Sequence, residues 1–220
     1  MAEGHPHSEA ELLAAGPTEI YCQVHSNERL FEGQLIERVT EWVPAYDEAS
    51  HEAVAGIQPR VHLLALVVSQ DCDLEQDFGK RQQNPWAETD LRSVLLCPAF
   101  PADELRKQQN LTSRKWETVR QNKDDRYAYL AEVPQPLDAA GAGHPAILLD
   151  LMNYFTVRTP ELYRQLRNSQ ARARCRLTIP WREHMQFRFA AFLARIGLPR
   201  DHFVPESRRP QLPPPEASPG

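Results

Sequence analysis

The chain has 220 residues, of which 41% are hydrophobic and 25% charged, with a formal net charge of −5; this composition is typical of a globular domain with a real core. No apolar run approaches the roughly 18 residues that a membrane-spanning helix needs, and the first residues lack the basic and apolar regions of a secretory signal. Four well-separated cysteines without a C-x-x-C pair argue against a disulfide scaffold. We therefore expect a cytoplasmic protein that contacts no membrane.

The charges are unevenly distributed along the chain. Residues 1–157 contain 13 Lys and Arg against 25 Asp and Glu, whereas residues 158–209 contain 12 arginines against four acidic residues. A basic segment is typical of a nucleic-acid footprint, but it also fits a part of the fold that packs against the acidic part. The intramolecular or merely solvated interpretation is preferred, because charge runs report on solubility and association before they report on function.

Both ends of the chain have compositions that disfavour packing. Residues 1–17 mix Gly, Pro, His and Glu and are predicted to be disordered. Residues 204–220 are rich in proline, which predicts a disordered or polyproline-like tail. The stretch PQLPPP in this tail is typical of ligands for aromatic grooves, although a bare disordered end is the preferred interpretation. Residues 18–203 are predicted to form a single domain.

Between these ends most predicted elements are strands. The stretch QLIERVTEWV (34–43) fits a strand or a short helix. Continuous aliphatic runs at 61–69 and 92–100 predict strands that are buried on both faces. Three further strands are predicted at 125–133, at 145–157 with a turn near Asn153, and at 173–179.

Two helices are predicted late in the chain. The first, residues 159–168, has Thr159 as its N-cap and Pro160 in its first turn. The second, residues 180–197, begins at Pro180 and places its apolar side chains on one arc: Trp181, Met185, Phe189, Phe192, Leu193 and Ile196. Strands followed by covering helices predict an α+β fold, a small β-barrel with helical cover.

The order of these motifs resembles the PemK/MazF-type toxins. In that family a strand RPALVVS is followed by a strand ending CPIT and by a strand VLLDQIRTV before a terminal helix. Here Arg60 precedes VHLLALVVSQD, and SVLLCPAF and AILLDLMNYFTV follow in order. The resemblance covers residues 30–197 in element order and implies an SH3-like (PemK-like) β-barrel with a packed C-terminal helix. The chain also resembles uncharacterised bacterial proteins with an SQ-x-CDL motif, present here as SQDCDL.

The toxin resemblance implies an endoribonuclease site that this sequence matches in part. Arg60 takes the place of the arginine that serves RNA cleavage in the toxins, with Pro59 before it instead of a proline after it. The threonine of their PIT motif is missing, since the chain reads Pro98-Ala99-Phe100, and Thr112 is the candidate replacement. An arginine stabilises phosphate charge, but transphosphorylation also needs a proton acceptor, so the enzymatic interpretation is disfavoured.

Three interpretations compete for Asp71-Cys72-Asp73, which follow the strand at 61–69. A nucleophilic Cys72 is disfavoured because neighbouring carboxylates raise a thiol pKa, and no histidine lies nearby in sequence. A metal site shared with Cys97 and a histidine lacks the usual ligand spacing. In the preferred interpretation Cys72 is a small buried residue and the two aspartates begin a loop that borders a pocket.

Four further residues are candidates for binding. Arg182 is expected to reach a carboxylate such as Asp150, with a phosphate or an acidic partner as the functional alternative. Arg188 shares a polar stripe with His184 and Arg195 that would be the best nucleic-acid patch. Lys115 and Trp116 lie in TSRKWETVRQNK, where basic and aromatic residues interleave as in single-stranded nucleic-acid sites and in protein interfaces.

The sequence thus predicts a non-enzymatic binding or regulatory protein of a bacterial toxin or defence-type system, without a cofactor. It would contact a partner protein or single-stranded RNA through a barrel face around Arg60, Asp71 and the 107–123 loop, with a homodimer as a further option. The alternatives are a divergent PemK/MazF-like endoribonuclease and a metal or thiol site centred on Cys72.

Overall fold

The computed structural model describes residues 19–24, 29–46, 53–84, 89 and 91–194. The strands in these residues are β1 Tyr21–Cys22, β2 Gln34–Tyr46, β3 Ala53–Val67, β4 Ser93–Pro101, β5 Tyr127–Leu130, β6 Ile147–Asp150, β7 Phe155–Arg158 and β8 Arg172–Leu177. The α-helices are α1 Asp71–Gln83, α2 Ala102–Gln108, α3 Ser113–Arg120, α4 Thr159–Arg167 and α5 Trp181–Leu193. The chain is therefore a mixed α+β protein.

The strands form one antiparallel sheet in the order β1-β8-β2-β3-β4-β6-β5, with β7 also paired to β4. Strands β6 and β7 run along successive parts of the same β4 edge, since a 3-10 turn at Leu151–Asn153 separates them. The hydroxyl of Tyr21 on β1 donates a 2.6 Å hydrogen bond to the carbonyl of Ala131, just after β5. Since β1 and β5 are the first and last strands in the order, the two ends of the sheet approach each other and the sheet is curved.

Apolar side chains fill both faces of this sheet. A first cluster, on the concave side, contains residues of seven of the strands and is covered by Met185 and Phe189 of α5. A second cluster on the other side is covered by Leu74 of α1 and by Leu162 and Leu166 of α4. A third, smaller cluster joins α2 and α3 to β5 and β6. The continuous aliphatic run of β3 reflects this burial on both faces from Leu64 onward.

The predicted strands and the two late helices are confirmed in place, with differences at their ends. Residues 34–46 form a strand and not a helix. Thr159 is the first residue of α4 and not its N-cap, and its hydroxyl donates to the carbonyl of Leu91. On α5, Met185 and Phe189 are buried as predicted, but Leu193 is 50% exposed. The predictions for residues 1–17, 204–220 and Ile196 lie outside the described residues.

Three helices were not predicted. Helix α1 has little apolar periodicity, because only Leu74 and Phe78 of its side chains join a core cluster. Helices α2 and α3 are short, seven and eight residues, and each contributes few apolar side chains. None of the helices in the described part of the chain is long and apolar enough to span a membrane.

Candidate docking surface

The two longest strands, β2 and β3, extend beyond the rest of the sheet. Strand β8 pairs with β2 only over residues 34–37, and β4 pairs with β3 only over residues 65–67. Residues 39–46 and 53–62 therefore form a two-stranded extension, here called the ribbon, that pairs with no third strand among the described residues. A two-stranded hairpin alone is marginally stable in water, so the ribbon depends on contacts at its base.

The ribbon begins at a backbone irregularity at Arg38, whose φ is +60°. Ile36 and Val39 belong to the same core cluster although they are three residues apart, so the two-residue alternation of the strand is interrupted at Arg38. Opposite this point Leu63 is 78% exposed. The prediction that residues 61–69 are buried on both faces is therefore wrong for Val61 and Leu63.

One face of the ribbon is apolar and exposed. The ladder pairs Trp42 with Pro59, Pro44 with Ile57, and Thr40 with Val61, and paired residues of an antiparallel ladder project to the same face. Ile57 is 69% exposed, Val61 53% and Trp42 50%. We call Trp42, Pro44, Ile57, Pro59 and Val61 the apolar face. The grouping of these side chains on one face makes it a candidate interaction site.

Both edges of the ribbon are poorly suited to pairing with another strand. Gln165 of α4 bonds to the N–H and the carbonyl of Thr40, at 2.9 and 2.8 Å, so the main-chain groups of Thr40 point away from β3. Pro44 lies four residues after Thr40, so its backbone nitrogen points to the same outer edge of β2. Pro59 pairs with Trp42, two residues after Thr40, so its backbone nitrogen points to the outer edge of β3. Proline has no N–H to donate, so strand addition is disfavoured at either edge and contact through the apolar face is favoured.

The Trp42 side chain lies near the Glu161 carboxylate at the start of α4. This carboxylate accepts two 2.7 Å hydrogen bonds from Arg164. The Arg164 guanidinium lowers the pKa of Glu161, burial opposes this effect only in part, and Trp42 adds a smaller lowering contribution. Half of the Trp42 surface remains open to solvent.

The opposite face of the ribbon carries Arg60 with two other ionisable groups. Glu41 pairs with Arg60 in the ladder, and its Oε2 atom lies 3.7 Å from the Arg60 guanidinium and 3.0 Å from Nε2 of His62. The His62 ring stacks on Phe155 with centroids 3.7 Å apart. The Arg60 side chain is 62% exposed, whereas the Glu41 carboxylate and the His62 ring beside it are largely buried, with 18% and 13% of their side chains exposed.

Thr112 does not join Arg60. It is the N-cap of α3, where its hydroxyl accepts a 3.3 Å hydrogen bond from the N–H of Lys115. Helix α3 packs on β5, which lies three positions from β3 in the sheet order. The role of Thr112 is therefore structural in this arrangement.

Asp71 lies at the start of α1, at the centre of an arginine cluster formed by Arg29, Arg176 and Arg182. Its Oδ2 atom accepts hydrogen bonds from Arg176 at 2.6 Å and from Arg182 at 2.8 Å, and Arg29 lies 4.0 Å from Oδ1. The structure thus brings together two residues predicted separately, Asp71 and Arg182. The predicted partner of Arg182, Asp150, instead binds Arg126.

The arginine cluster is balanced by carboxylates and screened by an aromatic ring. Phe31 lies between the guanidinium groups of Arg29 and Arg176, 4.6 and 4.4 Å from its centroid. The N–H of Asp71 donates to Glu32 and the N–H of Glu32 donates to Asp71, which ties the start of α1 to the 29–32 segment. Burial raises the pKa of Glu32, and the hydrogen bond from Asp71 only partly offsets it. Arg176 and Arg182 thus form ion pairs within the fold.

The preferred interpretation of Asp71-Cys72-Asp73 is wrong in two respects: Cys72 is exposed, and Asp71 begins a helix, not a loop. The Cys72 thiol has only weak contacts, 3.7 Å to the Gln70 side chain and 3.8 Å to Asp73. Cys97, its predicted partner, is buried in the first core cluster. Among the described residues no group of three or more His, Cys, Asp or Glu side chains is arranged to hold a metal ion.

Lys115, Trp116 and Arg188 belong to a third location. Lys115 forms an ion pair with Asp124, and with backbone N–H groups it lowers the pKa of Asp124 despite the opposing effect of burial. Arg188 of α5 donates to the carbonyls of Asn122, Asp124 and Tyr127, and burial lowers its pKa. The Arg106 guanidinium covers the Trp116 ring at 4.9 Å. Arg188 thus stabilises the 122–127 turn from inside.

Four of the eight arginines that the structure describes in the basic segment pair with carboxylates of the acidic part of the chain. Arg174 binds Asp138 and Glu37, and Arg172 lies 3.8 Å from Glu37. Together with the bonds of Arg176 and Arg182 to Asp71, these contacts favour the intramolecular interpretation of the charge asymmetry. Because these arginines are neutralised by carboxylates, their charge does not favour an RNA-binding surface at these residues.

No protein-family model, no curated protein and no solved structure matches this chain. Sequence reasoning found Arg60 but not the apolar face, Glu41 or His62. The element predicted at 34–43 ended before Pro44, so that prediction did not place Trp42 and Pro44 on one face of a longer strand.

Proposed function

We propose that this chain is a non-enzymatic binding protein that holds a proline-rich segment of a partner protein on the apolar face of the ribbon. The observation that carries the proposal is an exposed apolar face on a ribbon whose two edges are each blocked by a proline, Pro44 and Pro59. A partner that needs edge hydrogen bonds is disfavoured here. A polyproline II segment needs none and packs its rings on aromatic side chains.

The size of the apolar face supports a peptide over a folded partner. Two strands about five residues long present a face on the order of 160 Å², from the usual rise and strand spacing. A stable complex between folded proteins buries about 800 Å² on each partner. A short peptide fits this face, and the Trp42 indole and the exposed Tyr46 ring supply the aromatic surfaces.

We also propose that the sheet is a PemK-like SH3-type barrel. The curved sheet, the approach of β1 to the end of β5, and the packing of α5 on the concave face are compatible with such a barrel. On that resemblance the partner would belong to a bacterial toxin or defence-type system. The protein would act there by binding and not by catalysis.

The proposal is tested by titrating a proline decapeptide into the labelled full chain and following NMR signals of Trp42 and Ile57. We expect saturable shifts at these residues with a Kd on the order of 100 µM to 1 mM, and binding at least tenfold weaker in Trp42→Ala, since aromatic anchors dominate such sites. Phe187→Ala, which removes a 72% exposed aromatic side chain on α5, should bind as the unaltered protein does. Absence of shifts up to about 5 mM peptide would sink the proposal.

A second candidate function is supported by the opposite face of the ribbon: a divergent PemK/MazF-like endoribonuclease. Glu41 would take the proton of a ribose 2′-hydroxyl, whose oxygen attacks the phosphorus. His62 would protonate the departing 5′-oxygen, and Arg60 would stabilise the phosphate charge. The products are a 2′,3′-cyclic phosphate and a 5′-hydroxyl. Glu41 lies 3.0 Å from His62 and 3.7 Å from Arg60. It would be the proton acceptor that the sequence motif lacked.

The endoribonuclease function is tested with a long single-stranded RNA, with and without magnesium. If it is correct, cleavage should fall at least 100-fold in both His62→Gln and Arg60→Ala, and persist in Arg158→Ala, which removes an exposed arginine on β7. If the unaltered protein leaves the RNA intact, the second candidate is excluded. Cleavage insensitive to these substitutions would point to a contaminant.

A further inference from the structure

We propose that helix α3 binds double-stranded DNA, with its outer face in the major groove and cations on both sides of that face at the phosphates. The inference goes beyond the proposed function and does not rest on it, because α3 packs on β5 and not on the ribbon. It concerns residues 106–123, here called the α2–α3 stretch.

The α2–α3 stretch is strongly basic, although the whole chain has a net charge of −5. It contains six Lys and Arg residues and a single carboxylate, that of Glu117. Four of its cations are exposed and form no ion pair within the described part of the chain: Lys107, Arg114, Arg120 and Lys123. The arginines at 172–182 differ, since carboxylates neutralise them. A group of exposed cations without carboxylate partners is the electrostatic footprint of a nucleic-acid site.

Two short helices joined by four residues form most of this stretch. Helix α2 ends at Gln108 and α3 begins at Ser113. Between them Asn110 has a φ of +49°, a conformation that asparagine tolerates well, and Thr112 caps α3. In many DNA-binding proteins a pair of helices joined by three or four residues places its second helix in the major groove. The position of α3 as the second helix therefore fits this mode of binding.

The outer face of α3 carries side chains that suit base edges. On the inner side Val119 is buried and Trp116 packs against the third core cluster. On the opposite side Arg114, Glu117 and Gln121 form one exposed stripe at helical spacing. The Gln121 amide donates a 2.7 Å hydrogen bond to the Glu117 carboxylate, which orients both groups. Arginine, glutamine and glutamate are the side chains that recognise guanine, adenine and cytosine in the major groove.

Cations lie on both sides of this stripe. At 100° per residue Arg120 lies on one flank of α3 and Lys115 on the other, and the Lys115 side chain is 51% exposed. Lys107 lines a hollow between α2 and the start of α3, and Lys123 follows the C-terminal end of α3. DNA carries one phosphate charge per about 1.7 Å of its axis, and α3 is about 12 Å long. Phosphates are therefore available to the cations on both flanks.

The surroundings of Trp116 favour a duplex over a single strand. Proteins bind single strands largely by stacking the bases on open aromatic rings. Trp116 is the only aromatic residue of the α2–α3 stretch, and its ring is covered by the Arg106 guanidinium at 4.9 Å and contacts Tyr129 edge to face. The major groove of B-form DNA admits an α-helix, whereas that of an RNA duplex is too deep and narrow. Double-stranded DNA is therefore the partner that fits.

The test is fluorescence anisotropy of a labelled DNA duplex of mixed sequence, two helical turns long, titrated with the full chain. We expect a Kd on the order of 10 µM at 50 mM salt, and about 40-fold weaker binding at 200 mM salt for about three phosphate contacts. A variant with Lys107→Ala, Arg120→Ala and Lys123→Ala should bind at least about tenfold more weakly. The matched control carries Arg92→Ala, Arg158→Ala and Arg167→Ala, which remove the same charge from exposed positions elsewhere, and should bind within about twofold of the unaltered chain.

A gain of affinity provides a second measurement that a damaged fold cannot produce. Glu117→Gln removes the only carboxylate of the α2–α3 stretch and should tighten binding to the mixed-sequence duplex about fivefold. If neither this variant nor the first triple variant changes the affinity, the duplex binds elsewhere and the proposal is overturned. The same holds if no duplex binding is detected up to about 1 mM protein. A single-stranded RNA or a polyglutamate peptide that binds as tightly as the duplex would assign the surface to that class of partner instead.

Discussion

Replacing Asp71 by alanine is expected to lower the free energy of unfolding by about 3 kcal/mol. Arg176 and Arg182 expose only 14% and 13% of their side chains and share the Oδ2 atom of Asp71. Without this carboxylate two half-desolvated guanidinium groups would face each other with Arg29 nearby, and burial already works to lower the pKa of Arg176. Breaking a buried ion pair from one side leaves such charges uncompensated.

The measurement is a urea unfolding curve at pH 7, with Asp73→Ala as the matched control. Asp73 lies in the same first turn of α1 but is exposed, so its loss should change the free energy of unfolding by no more than about 0.5 kcal/mol. An equal small effect of both substitutions would show that the arginine cluster does not depend on Asp71.

A double-mutant cycle separates the lost attraction from the charge left behind. Arg176→Met removes one of the buried guanidinium groups, so adding it to Asp71→Ala should recover part of the stability that the single substitution loses. We expect a coupling energy of at least about 1 kcal/mol, as found for residues in direct contact. Additive effects would mean that the two side chains stabilise the fold independently.

The sheet was largely predictable because its strands carry local information. The aliphatic runs of β3 and β4 and the alternation in β5 and β8 each mark a strand without reference to its neighbours. The ribbon was not predictable, since the burial of β3 changes along its length. Strand β4 pairs with β3 only from Ala65 onward, and Leu63 and Val61, at alternate positions before it, are exposed where Ala65 and Val67 are buried. Where pairing ends cannot be derived from the aliphatic character of the run.

The polar sites were less predictable, because their partners are far apart in the sequence. Asp71 and Arg182 were both candidates, but the hydrogen bond between them joins residues 111 positions apart. Arg60, Glu41 and His62 meet only through the register of β2 on β3. Helix α1 was missed for a related reason: its two core contacts, Leu74 and Phe78, are too few to produce a periodic pattern, and the helix is stabilised by contacts at its start.

Helix α5 shows that periodicity selects the right buried residues only where the helix is actually covered. Met185 and Phe189 were predicted to be buried and are, whereas Leu193 on the same predicted arc is half exposed. Trp181 and Phe192 pack against the first core cluster from its margin. The helix therefore crosses the first core cluster along most of its length, and Leu193 points away from it.

This crossing predicts a large difference between two phenylalanines of α5. Phe189→Ala is expected to lower the free energy of unfolding by about 3 to 4 kcal/mol, because Phe189 is 3% exposed and its loss leaves a cavity in the first core cluster. It also loses its edge-to-face contact with Tyr154, whose ring centroid lies 5.5 Å away. Urea unfolding curves of the two variants and the unaltered protein provide the measurement.

Phe187→Ala is the matched control, since Phe187 lies two residues earlier and is 72% exposed. Alanine has a higher helix propensity than phenylalanine, so both substitutions favour the helix by a similar small free energy. The difference between the two variants therefore reports packing alone. A change of no more than about 0.5 kcal/mol is expected for Phe187→Ala. If Phe189→Ala were equally mild, α5 would not cover the first core cluster.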